Sequence, residues 1–136
     1  MLDASLMVEW LIGENRRSVA RDAYDALADT SVRVPSHWPV EVSNALRSEI
    51  RAGRLAVDGF HRILDQLDLL DIRVESPIDL DEITPLAQFA TTHDLTAYDA
   101  AYVQLTLQRR ATLATLDRAM RNAAKRLHIS LLPSHP

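Results

Sequence analysis

Four acidic residues, Asp3, Glu41, Asp99 and Asp117, lie far apart in the sequence, yet each falls at the boundary of an expected element. Asp3 follows the apolar start Met1-Leu2, and Asp117 follows Leu113-Ala114-Thr115-Leu116, so both belong at the C-terminal ends of strands. Glu41 and Asp99 fall in the first turns of expected helices. Carboxylates gathered from separate elements suit hard divalent cations, which take oxygen ligands and keep several waters. Such an ion can activate water, neutralise an anionic substrate group and stabilise a leaving oxygen. Two carboxylates about 5 Å apart repel by roughly 3 kcal/mol at an effective dielectric of ~20, so four together should raise some pKa values or recruit cations.

Each acid also has a plainer role open to it. Asp117 can cap the helix that follows, as an Asp after a strand commonly does. Thr96-Ala97-Tyr98-Asp99 matches a capping box, and Glu41 can answer the dipole of its helix. For Asp3 the plain reading is weakest, since an acid beside a buried strand needs a partner.

The elements that must position these residues follow from apolar spacing. Leu2 reads as a very short strand, followed by a helix to Gly13 with Ser5 as its N-cap. Helices are expected over Arg17–Ala28, from the Pro35–Pro39 turn to Gly53, and over Val57–Leu70, Asp79–Thr92, Thr96–Arg109 and Arg118–Leu127. Pro85 must lie in a first turn or kink its helix. Strands are expected at Ser31–Val34, Ile72–Glu75, Ala111–Leu116 and Ile129–Leu132. Short strands separated by helices imply parallel pairing, hence an α/β sandwich with about five strands. Chemistry in such folds sits beyond the C-terminal strand ends, where Asp3 and Asp117 fall.

The 136 residues fit one domain, 1–136, with no repeat or linker. Absence of Cys excludes disulfides, thiolate zinc sites and thiol catalysis. No window is apolar enough for a membrane span and the N-terminus has no signal-like pattern, so a cytoplasmic protein without membrane association is expected. The net charge of −4 argues at first against a polyanionic partner. With the four acids set aside, however, acids and bases balance at 15 each, so the surplus can reside in one metal site. Fourteen of the 15 bases are Arg, suited to phosphate recognition, and Lys125 is the one Lys.

Leu2-Asp3-Ala4-Ser5, Pro39-Val40-Glu41-Val42-Ser43-Asn44-Ala45-Leu46, Leu95-Thr96-Ala97-Tyr98-Asp99-Ala100-Ala101-Tyr102 and Leu113-Ala114-Thr115-Leu116-Asp117 occur in that order. Together they resemble the four signature segments of PIN-domain ribonucleases, and more narrowly the VapC toxins of type II toxin–antitoxin systems. The resemblance implies a PIN-like three-layer sandwich and assigns Asp3, Glu41, Asp99 and Asp117 as catalytic, metal-binding carboxylates for Mg²⁺ or Mn²⁺. It implies orienting roles for Ser5, Asn44 and Thr115; Asn44 lies one helical turn from Glu41 and shares its face. It also implies an endoribonuclease that cuts structured RNA, tRNA or rRNA, leaving a 5′-phosphate, with a cognate antitoxin and a homodimer as partners.

Arg118, Arg121 and Lys125 on the last helix, and Arg16 and Arg17 after the first, are candidate RNA contacts, although arginines on amphipathic helices are also common as a solvated face. The five His residues offer no H-E-x-x-H or other close ligand pair, so zinc hydrolysis is poorly supported. A noncatalytic PIN-fold module binding RNA or protein, and a PIN nuclease acting in RNA processing, are the competing readings. A phosphoacceptor receiver lacks its acidic pair and its lysine after the last strand, and a dehalogenase-like site lacks the second acid of Asp-x-Asp, where Ser5 stands.

Overall fold

The structure, a computed structural model, describes residues 1–12 and 19–135. Its parallel pairing is organised around Leu2. The Leu2 N–H donates to the Arg33 carbonyl at 3.0 Å, while Leu2 forms a parallel bridge with Ala114. Ala114 N–H donates to the Met1 carbonyl at 2.8 Å, and Asp3 N–H to the Ala114 carbonyl at 2.9 Å. Beyond Arg33, β1 (Val32–Val34) pairs with β2 (Ile72–Val74), with Val32 opposite Ile72. Beyond Ala114, β3 (Leu113–Ala114) pairs with β4 (Leu131–Leu132).

The α/β class is as expected, but one continuous five-stranded sheet is not what the described residues form. They form two two-stranded parallel sheets, with Leu2 between them as an isolated bridge. The reason is local: the Asp3 carbonyl already accepts from Met7 N–H at 3.3 Å, so the chain turns into a helix after one paired residue. The other strands are also shorter than their apolar runs, with two or three residues each.

The first helix, α1 (Ala4–Ile12), begins one residue before Ser5, so Ser5 is not its N-cap; Asp3 precedes it, and the Asp3 carboxylate accepts from Ser5 N–H at 3.3 Å. The next helices are α2 (Val19–Leu27), α3 (Trp38–Arg51) and α4 (Phe60–Asp68). They are followed by α5 (Ile83–His93), α6 (Ala97–Arg109) and α7 (Arg118–Arg126). Pro39 and Pro85 both sit in first turns, where the missing N–H has no intrahelical acceptor to serve. The runs expected as helices from Val57 and Asp79 each open with a 3₁₀ turn, Val57–Gly59 and Leu80–Glu82. Gly53, at φ +72°, follows α3 in the left-handed region that a glycine enters without steric cost.

α1 packs against α2 and α3, and α6 against α5 and α7. Leu2, Leu6, Met7, Val34, Trp38, Tyr102, Val103, Leu113 and Met120 belong to one buried cluster. Trp10 is half-buried and stacks on Tyr24 with ring centroids 3.6 Å apart. At the other end of β1 the buried Glu75 accepts from Arg33 at 2.9 Å and from Arg109 at 2.6 and 3.0 Å, tying β1 to α6. These hydrogen bonds, Arg109 first, hold the Glu75 carboxyl below its ordinary range. No described helix is long and apolar enough to cross a membrane.

Candidate metal centre

Short strands and abrupt helix starts deliver the acids to one place. Asp3, Ser5, Glu41, Asn44, Asp99 and Asp117 all line a cleft of about 320 Å³, floored by Ala4, Ala45 and Met120. Asp3 comes from the turn between the Leu2 bridge and α1, Glu41 and Asn44 from one face of α3, Asp99 from α6, and Asp117 from the residue before α7.

Asp3 is the buried member, at 5% exposure. Its Oδ2 accepts from the Ser5 hydroxyl at 2.5 Å and the Thr115 hydroxyl at 2.7 Å. Burial pushes the Asp3 carboxyl above its ordinary value; the Ser5 and Thr115 hydrogen bonds pull it back, and the charge of Asp117 adds to the rise. Thr115, fully buried, also accepts from the Asp117 N–H at 3.0 Å, so one hydroxyl links the two acids at the strand ends.

Capping and cleft membership coincide in Asp117 and Asp99. Asp117 is the N-cap of α7, its Oδ1 accepting from Met120 N–H at 2.8 Å. Thr96 caps α6, accepting from Asp99 N–H at 3.1 Å, while its hydroxyl donates to Asp99 Oδ2 at 2.7 Å. Asp117 thus both caps a helix and lines the cleft, and Asp99 lines it while held by the cap residue Thr96.

Two residues around Glu41 were not singled out from the sequence. Tyr102 donates its phenol to Glu41 Oε2 at 2.5 Å, and His37 Nε2 lies 3.6 Å from the same oxygen. Burial first, then the hydrogen bond to Glu41 and its charge, push the Tyr102 phenol well above its ordinary value, so it stays a donor. A signal was present: Tyr102 is three residues from Asp99 on a buried helical stripe, and a buried phenol requires an acceptor. The His37 ring also meets Tyr102 edge-on at 5.3 Å and Tyr98 at 5.5 Å.

The basic candidates divide. Arg118 and Lys125 are exposed on α7. Arg121 is not a surface contact: it is 4% exposed, with Nη1 donating to the Thr115 carbonyl at 2.9 Å and Nη2 to the Ser134 carbonyl at 3.3 Å. It is buried with Met120, Ala123 and Ala124 of α7, and its guanidinium ties the end of β3 to the segment after β4. Arg16 and Arg17 lie outside the described residues.

The donor set fits a hard divalent cation. Four carboxylates, one amide and one hydroxyl line the cleft with no Arg or Lys among them, and no described Arg or Lys forms an ion pair with any of the four acids. Uncompensated like charges in one cleft call for an external cation. The four are nevertheless not collapsed on one point. Among the described residues, the one group of three or more such ligand atoms within 4.8 Å of each other is the exposed trio Asp79, Asp81 and Glu82. In that trio Asp79 and Glu82 form the capping box before α5. Glu41 Oε2 is instead held by Tyr102 and Asp99 Oδ2 by Thr96.

A structure of PAE2754 from Pyrobaculum aerophilum has the same fold, with a TM-score of 0.70 at 24% identity over 98% of this chain and 90% of that one. No curated protein sequence matches the chain. Residues 1–126, which include all four acids and every element from the Leu2 bridge to α7, match the PIN domain family. That family is one of metal-dependent nucleases in general, which agrees with the all-oxygen, all-acidic lining of the cleft. The chain therefore belongs to the PIN domain family.

Proposed function

We propose that the protein is a Mg²⁺- or Mn²⁺-dependent endoribonuclease, a toxin of the VapC type, that cuts structured RNA such as tRNA or rRNA and thereby inhibits translation. The observation that carries this reading is the cleft lined by Asp3, Glu41, Asp99 and Asp117 without a cationic side chain. A bound divalent ion would supply charge neutralisation at the phosphate and lower the pKa of a water, so that the water is more readily deprotonated to a nucleophile.

The chain's own groups divide the remaining work. Asp3, Glu41, Asp99 and Asp117 would hold the ion, with Asn44 and Ser5 on the same wall able to hydrogen-bond a phosphate or a water. Thr115 fixes Asp3, and Tyr102 fixes Glu41, which keeps both carboxylates in place before substrate arrives. Asp99 or Asp3 would orient the attacking water. Because water attacks and not the ribose 2′-hydroxyl, the products carry a 5′-phosphate and a 3′-hydroxyl.

A protein partner is part of the same reading. An apolar cleft of about 320 Å³ between α3 and α4, lined by Leu46, Ile50, Phe60, Ile63 and Leu64, supports an antitoxin contact. A homodimer and a cytoplasmic location belong to this proposal as well.

The test is purified protein with Mn²⁺ and a mixture of tRNA and rRNA, with cut sites mapped by sequencing. Cuts confined to a few structured sites support the toxin reading. Trimming at precursor ends favours an RNA-processing nuclease, and binding without any cleavage favours a noncatalytic module.

A further inference from the structure

We infer that the exposed face of α7 is the track along which the RNA backbone leaves the acid cleft, an inference that rests on the ribonuclease reading above. Five residues of this helix are exposed: Arg118, Ala119, Asn122, Lys125 and Arg126. Three are cations, one is an amide and none is an acid. Of their buried counterparts, Met120, Ala123 and Ala124 are apolar and Arg121 is engaged with the Thr115 and Ser134 carbonyls, so the cations open to solvent lie on the outer side.

Position makes this face more than a solvated stripe. Asp117, which lines the acid cleft, also lines a second cleft of about 370 Å³ with His93, Arg118, Asn122 and Arg126. The two depressions therefore meet at Asp117. Arg126 is held over the second one, its Nη2 donating to the His93 carbonyl at 2.9 Å, which fixes an exposed guanidinium between α5 and α7. Four N–H donors of that guanidinium remain for a ligand.

None of Arg118, Lys125 and Arg126 has a carboxylate partner within 4.0 Å among the described residues. Arg118 and Arg126 are eight residues apart, about 12 Å along the helix axis, which gives a line of contacts and not a single anion site. Asp94 also borders the second cleft, next to His93, so the cations outnumber the acids only along α7 itself. That arrangement favours an extended polyanion lying on the helix over a free phosphate in the cleft. Backbone contacts of this kind carry no sequence information, and so serve to set the position and direction of the strand.

Binding of a short unstructured RNA, labelled and followed by fluorescence anisotropy in EDTA across a salt series, tests the track without any cleavage. Three phosphate contacts on a single strand predict a slope of log K against log salt of about −2 for the wild type. Arg118→Gln with Arg126→Gln should reduce it to about −0.7. Lys125→Gln, which breaks no hydrogen bond seen in the structure, should by itself bring it to about −1.4. Arg62→Gln, an exposed charge on α4, should leave the slope at the wild-type value. Slopes unchanged in the α7 variants, or equal losses with Arg62→Gln, overturn the track even if the protein cleaves RNA. Conversely, the predicted slopes without any Mn²⁺-dependent cleavage sustain the track and overturn the nuclease reading.

Discussion

The Thr115 hydroxyl donates to Asp3 Oδ2 at 2.7 Å, across 112 positions of sequence, and joins the residue after the Leu2 bridge to the end of β3. Thr115 Oγ1 in turn accepts from the Asp117 N–H, so a single buried side chain links two of the four cleft acids. Thr115→Val keeps the shape and removes both interactions. It should destabilise the protein by about 1–3 kcal/mol, as expected when a buried partner is left unsatisfied, and weaken Mn²⁺ binding. Urea denaturation and calorimetric titration with Mn²⁺ measure the two effects.

Asp3 gives a prediction of the opposite sign. Burial raises its folded-state pKa, so the folded protein holds this proton more tightly than the unfolded chain. Stability is therefore lost as pH rises from the ordinary carboxyl range through the raised value, and the loss is complete above it. Without metal, Asp3→Asn should be at least as stable as wild type at pH 7, an advantage that disappears in acid. With Mg²⁺ or Mn²⁺ the order should reverse, because the wild type gains melting temperature from the ion and the variant does not. Melting curves at two pH values, with and without metal, decide it.

Much of this was legible in the sequence because the acids stand where the chain changes element. A strand end, a first helical turn and a capping box are local signals that put Asp3, Glu41, Asp99 and Asp117 at element boundaries, while their assignment to one site came from the resemblance of the four segments around them to PIN-domain nucleases. Strand length was not legible: Ala111–Leu116 reads as one strand, yet β3 ends at Ala114, and the Thr115 hydroxyl accepts from the Asp117 N–H in the turn toward the cap. Nor was the role of Arg121, since its side chain points inward only once Thr115 and Ser134 present carbonyls to it. Helical phase alone places Arg121 beside Met120, and a long cationic side chain can follow either face.

Arg121→Met should accordingly act through the fold. It leaves the carbonyls of Thr115 and Ser134 without their donor and should cost about 2–4 kcal/mol. At a temperature where it remains folded, its RNA-binding salt slope should equal that of wild type. A reduced slope would return Arg121 to the RNA-facing set.

Glu75 supplies a pH signature away from the cleft. Arg109, and then Arg33, lower its pKa, so its contribution is present at neutral pH and is lost as pH falls below the ordinary Glu value through the lowered one. Glu75→Gln should cost about 1–2 kcal/mol at pH 7, a figure discounted because both arginines are partly exposed, and progressively less as the pH falls below the ordinary Glu value. Urea midpoints across an acid pH series check it.

Cleavage of RNA by the purified protein in Mn²⁺, with Asp99→Asn and an EDTA control run alongside and the product ends identified, tests the central claim most directly. Asp99 sits in the cleft and is held by Thr96 at its rim, so the variant keeps the fold while removing one carboxylate. The account predicts cuts bearing 5′-phosphates for the wild type in Mn²⁺, with a loss of at least about 100-fold in Asp99→Asn and none detectable in EDTA. Cleavage that persists in EDTA or in Asp99→Asn, or that leaves a cyclic phosphate, would contradict it.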